Sequence, residues 1–210
     1  MIQAVLFDMD GTLFDTEAIY AEGWYKGGVP HNLYLQLIGR SAVDQRETLT
    51  KAGFDFDAVL RCMHEYAAQV LAKEVPVKPG AKEALMWLKE HGIKAAIATS
   101  SLKETAEKYL VQTGLTDYID AVVSGFELEH GKPAPDIFLM AAKEVGAAPE
   151  SCVVVEDAIS GVHAGKAAGM LTVMVPDRIA PDEETRRIAD GILDTLQELP
   201  DWLADRKSVV

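Results

Sequence analysis

Cysteine is scarce: the 210 residues hold two, Cys62 and Cys152. They stand far apart and in no CxxC pattern, so a disulfide framework is not expected; both read as core thiols in a reducing compartment. Histidine is sparse too. His31, His64, His130 and His163 show no ligand spacing, which weighs against zinc. No apolar run approaches the ~20 residues that a membrane helix needs, so no membrane partner is expected. Met1 leads straight into an apolar segment without a basic region or cleavage site; no export signal is expected, and a cytoplasmic location is. Basic charge is in deficit: Lys and Arg number 20 against 33 Asp and Glu, a net charge of -13. That balance argues against a nucleic-acid partner, whose phosphates call for a basic face. There is no internal repeat, no low-complexity tract and no signature that fixes the oligomeric state.

What remains is ordinary for a globular enzyme or binding protein, with 49% hydrophobic and 25% charged residues. The length allows one full core, or a core with a small accessory domain. A protein this acidic that handled phosphoesters would need local countercharge, from a divalent cation or a placed Lys or Arg.

The first thirteen residues, MIQAVLFDMDGTL, organise the rest. The apolar run from Ile2 to Phe7, β-branched at two positions, reads as a buried strand. It ends at Asp8-Met9-Asp10-Gly11-Thr12, where two carboxylates at i and i+2 project to the same side of an extended chain. Gly11 lets the backbone turn tightly and approach a ligand. Paired acids, a glycine and a hydroxyl at a strand end suit a metal-bound phosphate site. Asp and Gly also build plain surface turns, so this motif alone leaves both readings open.

From residue 16 to 77 the pattern is helical, with segments around 16–24, 33–38, 42–52 and 56–73 separated by glycines and Pro30. Beyond Lys78 strands and helices alternate. Strands are expected at IKAAIA, AVVS (121–124), CVVV and LTVMV, and helices at AKEALMWLKEH, 103–113, 137–145 and from about 160 to 169. The tail from Gly191 is expected to hold one short helix around 194–199. Such alternation implies βαβ units and a parallel sheet covered on both faces. The polar residues follow the apolar runs directly: AVLF-DMDGT, AAIA-TSS, CVVV-ED, and AVVS leading to GKP. In a parallel sheet these points share the carboxyl edge, where open α/β sheets bind ligands.

On these residues the chain resembles the haloacid dehalogenase-like superfamily, in the branch of β-phosphoglucomutases and small sugar-phosphate phosphatases. FDMDGTLFDTE, ATSS, GKPAPDIF and VVVEDAISGV match its four ordered motifs. The resemblance implies a Rossmann-like catalytic core (1–15 and 78–210) with an all-helical cap (16–77) inserted after the first strand. It implies that Asp8 is the nucleophile that forms an aspartyl phosphate and that Asp10 is the general acid and base. Thr99 and Lys132 would hold and neutralise the phosphoryl group. Mg²⁺ would be held by Asp8, the Asp10 carbonyl and Asp157, with Glu156 close by. Gly11, Ser100 and, from the cap, Arg40 are the substrate-binding candidates; a solvated surface arginine is an equal reading of Arg40. Trp24, Tyr25 and Tyr34 read as cap core.

The expected activity is a Mg²⁺-dependent phosphatase acting on a small phosphorylated metabolite, a sugar phosphate. The alternative is a β-phosphoglucomutase-type mutase, and mutases of the branch carry a His and a Lys where this chain has Tyr20 and Ile38. A non-catalytic phosphate-binding protein ranks third, because it would have lost some of these acids and none is missing.

Overall fold

In a computed structural model the chain is described over residues 1–38, 42–126 and 128–207. Six strands form one sheet: β1 (Ala4–Phe7), β2 (Lys94–Thr99), β3 (Ala121–Ser124), β4 (Cys152–Glu156), β5 (Leu171–Met174) and β6 (Gly191–Ile192). Every pairing is parallel and the order is β3-β2-β1-β4-β5-β6. This is the Rossmann-like arrangement, in which the connections run one way from β1 and then the other from β4. β1 and β4 are buried along their whole length, as strands covered on both faces must be.

The helices between these strands are α5 (Ala81–Glu90), α6 (Lys103–Thr113), α7 (Asp136–Glu144), α8 (Ile159–Ala167), α9 (Glu183–Ile188) and α10 (Leu199–Lys207). α7 lies against β1, β2 and β3, and α8 against β4 and β5. One core cluster joins Leu6, Ala96, Ala98 and Val154 of the strands to Phe138 and Ala141 of α7 and Ala164 of α8. Cys152 is unpaired and buried in it. Burial pushes its thiol up to about 11, which keeps it protonated and inert.

The end of the chain departs from expectation. β6 and α9 were not foreseen, and the tail helix begins at Leu199, about where it was expected to end. Thr195 instead caps a short 3₁₀ turn, its Oγ1 accepting from the Gln197 N–H at 2.9 Å. Pro200 then falls in the first turn of α10, where its missing N–H costs nothing.

Contacts divide the chain into two units, Met1–Phe14 with Val77–Val210, and Asp15–Pro76. The second is helical, with α1 (Glu17–Lys26), α2 (His31–Tyr34), α3 (Ala42–Lys51) and α4 (Phe56–Leu71). α1 packs on α4, and Trp24, Tyr34, Leu49, Phe56 and Met63 share its core. Asp55 caps α4, its carboxylate accepting from the Asp57 and Ala58 N–H groups. Among the described residues no helix is long and apolar enough to cross a membrane.

α8 approaches the sheet closely because Gly165 has no side chain. A Cβ there would stand 2.5 Å from Thr172 Oγ1 and 3.1 Å from Val154 Cβ. Gly165→Ala should therefore destabilise the fold by about 1–3 kcal/mol, the usual cost of overpacking. At roughly 2–4 °C per kcal/mol for a chain of this size, a thermal melt shows the loss as a lowered Tm.

Candidate active site

Register brings three strand ends into one row. Phe7 pairs with Ile97 on β2 and with Val155 on β4, so Asp8 follows beside Ala98 and Glu156. β1 and β4 flank the point where the sheet order reverses, the crevice where such folds bind ligands.

Asp8 is buried, and its N–H donates to the Val155 carbonyl at 2.9 Å. Its carboxylate accepts from Lys132. The Lys132 ammonium also donates to Glu156 Oε1 at 2.6 Å and to the Ala98 carbonyl at 3.2 Å. Its three protons are thereby all placed, on groups from β1, β2 and β4. Glu156 is buried with both oxygens engaged, since Oε2 accepts from the N–H groups of Asp157 and Ala158, each at 3.0 Å. Asp157 is buried and accepts from Thr12 Oγ1 at 3.2 Å.

Asp10 is half-buried and accepts at Oδ2 from Ser101 Oγ at 2.8 Å. Thr99 is buried, and its Oγ1 accepts from the Ser101 N–H at 3.0 Å. Gly11 has φ 85°, a left-handed conformation that suits glycine, in the turn between the two acids and Phe14. Asp8, Lys132, Glu156 and Asp157 therefore form one hydrogen-bonded group of the first unit, and Asp10 and Thr99 form a second through Ser101, with Gly11 in the turn beside the acids. Ser100 is exposed, and its neighbour Ser101 makes the contact. Arg40 lies outside the described residues. Tyr20 and Ile38 line a cavity of about 240 Å³ in the helical unit, together with Glu17, Trp24 and Gln45.

The Thr12 hydroxyl, expected at the site, braces Asp157. Two contributors were not singled out from the sequence. The Ser101 hydroxyl donates to Asp10. Gly161 leaves room for Glu156, because a Cβ at that position would stand 1.8 Å from Oε1. The one sequence signal for it is a glycine five residues beyond the acid, in the first turn of the following helix.

One ammonium faces two carboxylates here, so negative charge is in excess. Burial raises the Asp8 carboxyl to about 8; Lys132 pulls it down, and Glu156 and Asp10 push it up. Burial alone would lower Lys132, but the carboxylates of Asp8 and Glu156 raise it above its ordinary value and keep it charged. Carboxylate oxygens of Asp8, Glu156 and Asp157 lie within 4.8 Å of one another, close enough to hold a metal ion. An all-oxygen set without thiolate or imidazole suits a hard divalent cation, and a cation would relieve the surplus charge.

The haloacid dehalogenase-like hydrolase family model matches residues 2–169. The chain belongs to that family. It is 34% identical over 181 residues to a phosphorylated carbohydrates phosphatase of Thermotoga maritima, covering 80% of this chain and 82% of that protein. It is 35% identical over 181 residues to a fructose-1-phosphate phosphatase of Escherichia coli, covering 81% and 95%. Among solved structures, β-phosphoglucomutase from Clostridium difficile superimposes with a TM-score of 0.81 at 24% identity, covering 100% of this chain and 98% of that one. At that identity the likeness is one of fold.

A carboxyl whose folded pKa lies above its unfolded value contributes stability that is complete below the unfolded value and is lost as pH rises through the folded one. For Asp8 that window runs from about 4 to about 8. In metal-free protein, the Tm of Asp8→Asn should gain on the wild type across this window and stop gaining above it. Melts in chelator at stepped pH check this, and a gap that stayed constant would contradict the burial-raised carboxyl.

Proposed function

We propose that the chain is a Mg²⁺-dependent phosphatase that hydrolyses a small phosphorylated metabolite, a sugar phosphate, through an aspartyl phosphate on Asp8. The observation that carries this reading is the buried Asp8 at the sheet's switch point, tied to Lys132 and within metal-sharing distance of Asp157. The substrate class rests on the relatives, two of which are named as phosphatases of phosphorylated carbohydrates and of fructose 1-phosphate.

Asp8 attacks phosphorus, and the bond from phosphorus to the leaving oxygen breaks. Asp10 gives its proton to that oxygen. Water then attacks the acyl phosphate, Asp10 takes up its proton, and inorganic phosphate leaves with Asp8 restored. Lys132 holds the attacking carboxylate and offsets charge that builds on the phosphoryl oxygens. The Thr99 hydroxyl and the turns at Gly11 and Ser100 hold the phosphate. Asp8, Asp157 and the Asp10 carbonyl would hold Mg²⁺, which when bound would neutralise charge on the phosphoryl group. Glu156, with both oxygens engaged, acts as a brace for Lys132 and for the Asp157 turn.

A ³¹P NMR time course with glucose 1-phosphate, Mg²⁺ and a trace of the bisphosphate tests the reading, followed by other hexose phosphates. Inorganic phosphate is expected from the wild type and not from Asp8→Asn. Glucose 6-phosphate appearing in its place would transfer the chain to the phosphosugar mutases. Chelation should abolish release and added Mg²⁺ should restore it; release that survives thorough chelation would refute the metal assignment.

A further inference from the structure

One shielded ion pair of the first unit takes no part in the chemistry described above. Lys78 Nζ donates to Asp177 Oδ1 at 2.9 Å, between side chains that are 17% and 12% exposed and 99 positions apart in sequence. We propose that Asp177 is a positioning residue: by fixing Lys78 it steadies the turn of residues 9–14, which carries Asp10 and Thr12, in the arrangement that takes up the divalent cation. This rests on the phosphatase reading, in which that cation is Mg²⁺.

Asp177 stands just beyond β5 as Asp157 stands just beyond β4, and between the two strand ends the Val175 N–H donates to the Glu156 carbonyl at 2.7 Å. The 9–14 turn is folded on itself. The Leu13 and Phe14 N–H groups donate to the Met9 carbonyl, each at 3.0 Å, and the Gly11 N–H to the Phe14 carbonyl at 2.8 Å. From there the turn is tied outwards at two points. The Thr12 hydroxyl donates to Asp157. The Lys78 N–H donates to the Leu13 carbonyl at 2.9 Å, beside the antiparallel bridge between Phe14 and Val77. Lys78 thus holds the turn by its backbone and the end of β5 by its side chain. Two residues on, the same segment is pressed against the 3₁₀ turn near the end of the chain, where a Cβ on Gly80 would stand 2.4 Å from the Gln197 nitrogen.

Asp177 has little else to hold. Oδ1 takes the lysine, Oδ2 is buried without a hydrogen bond, and the exposed Arg178 lies 3.6 Å from it. A carboxylate withdrawn from water costs desolvation that its ion pair roughly offsets, so such a pair contributes a defined arrangement more than stability. The arrangement defined here is that of a turn whose next residue, Thr12, reaches Asp157. Lys78 and Asp157 have further interactions, so the loss of Asp177 removes one tie and not the whole support.

The test is isothermal titration of the metal-free protein with MgCl₂, beside thermal melts, on the wild type, Asp177→Asn, Lys78→Met, the double variant and Asp190→Asn. Asp190 makes its side-chain hydrogen bonds to Lys166 and the Thr172 N–H, outside the turn, and serves as the control for lost stability alone. Asp177→Asn should weaken Mg²⁺ binding about fivefold, less than the roughly 10–100-fold that follows when a group bonded directly to a metal ligand is removed. Its kcat/KM for p-nitrophenyl phosphate should fall by the same factor at low Mg²⁺ and recover at saturating Mg²⁺. Asp190→Asn should lower the Tm and leave Mg²⁺ affinity unchanged. In the Lys78→Met background Asp177→Asn should cost no further affinity, since the two residues act through one contact. An Asp177→Asn protein that loses Tm but keeps the wild-type affinity overturns the proposal and leaves the phosphatase reading intact. An undiminished loss in the Lys78→Met background also overturns it, since Asp177 then acts by another route. Where Asp177→Asn does not fold, Lys78→Met is compared with Lys78→Arg, which keeps the pair; equal Mg²⁺ affinity in those two overturns the proposal. A wild type that neither binds Mg²⁺ nor releases phosphate from any hexose phosphate overturns the phosphatase reading and the proposal with it.

Discussion

Three acceptors around one buried ammonium hold the site together. Lys132 reaches Asp8, Glu156 and the Ala98 carbonyl, so a single side chain from the loop before α7 ties the ends of β1, β2 and β4. In a site shielded from water, removing one member of such a group strands the others as uncompensated charge or unpaired polar groups. The ammonium cannot balance all the carboxylates nearby. Burial raises Asp8 above all, and the surplus charge adds to it and gives the same residues an appetite for a divalent cation. Burial and charge together thus account for the state of Asp8, and the surplus charge for the implied metal.

Around that centre the acids are fixed by groups that do no chemistry themselves. Glu156 spends one oxygen on Lys132 and the other on two backbone N–H groups that begin the turn into α8. The turn therefore aims Asp157 while also fixing the lysine. Gly161 makes this possible by leaving empty the volume that Glu156 fills. Supporting contacts of this kind set the precision of a catalytic constellation.

Much of this was legible in the sequence. Five strands were read because each is a short apolar run, four stopping at a polar residue and the fifth at Pro176. The acids at those stops identified the site, since topology puts parallel strand ends side by side. β6 was missed because Gly191 and Ile192 are too few to show a period, and α9 because Glu-Glu-Thr-Arg-Arg-Ile presents no apolar stripe. Within the site, Ser100 was named and Ser101 was not. Which hydroxyl of the Thr99-Ser100-Ser101 turn points inward is decided by Thr99 and by Ser124 on another strand, a long-range choice that local pattern does not carry. The helix placed over 194–199 fell short of α10 because Thr195 spends its cap on a 3₁₀ turn first.

The order of assembly has a consequence for a chain emerging from the ribosome. β1 is made first and ends up at the centre of the sheet, between β2 and β4. The partners that compensate Asp8 and hold Asp157 lie 124 and 145 positions away in sequence. Until β4 has been synthesised, β1 lacks one neighbour in the sheet, and Lys132 lacks its second carboxylate, Glu156. An N-terminal fragment that ends before residue 156 therefore carries Asp8 and Asp10 without the Glu156 and Asp157 carboxylates that complete the cluster. Through that interval the nascent chain presents a hydrophobic edge that something else must shield.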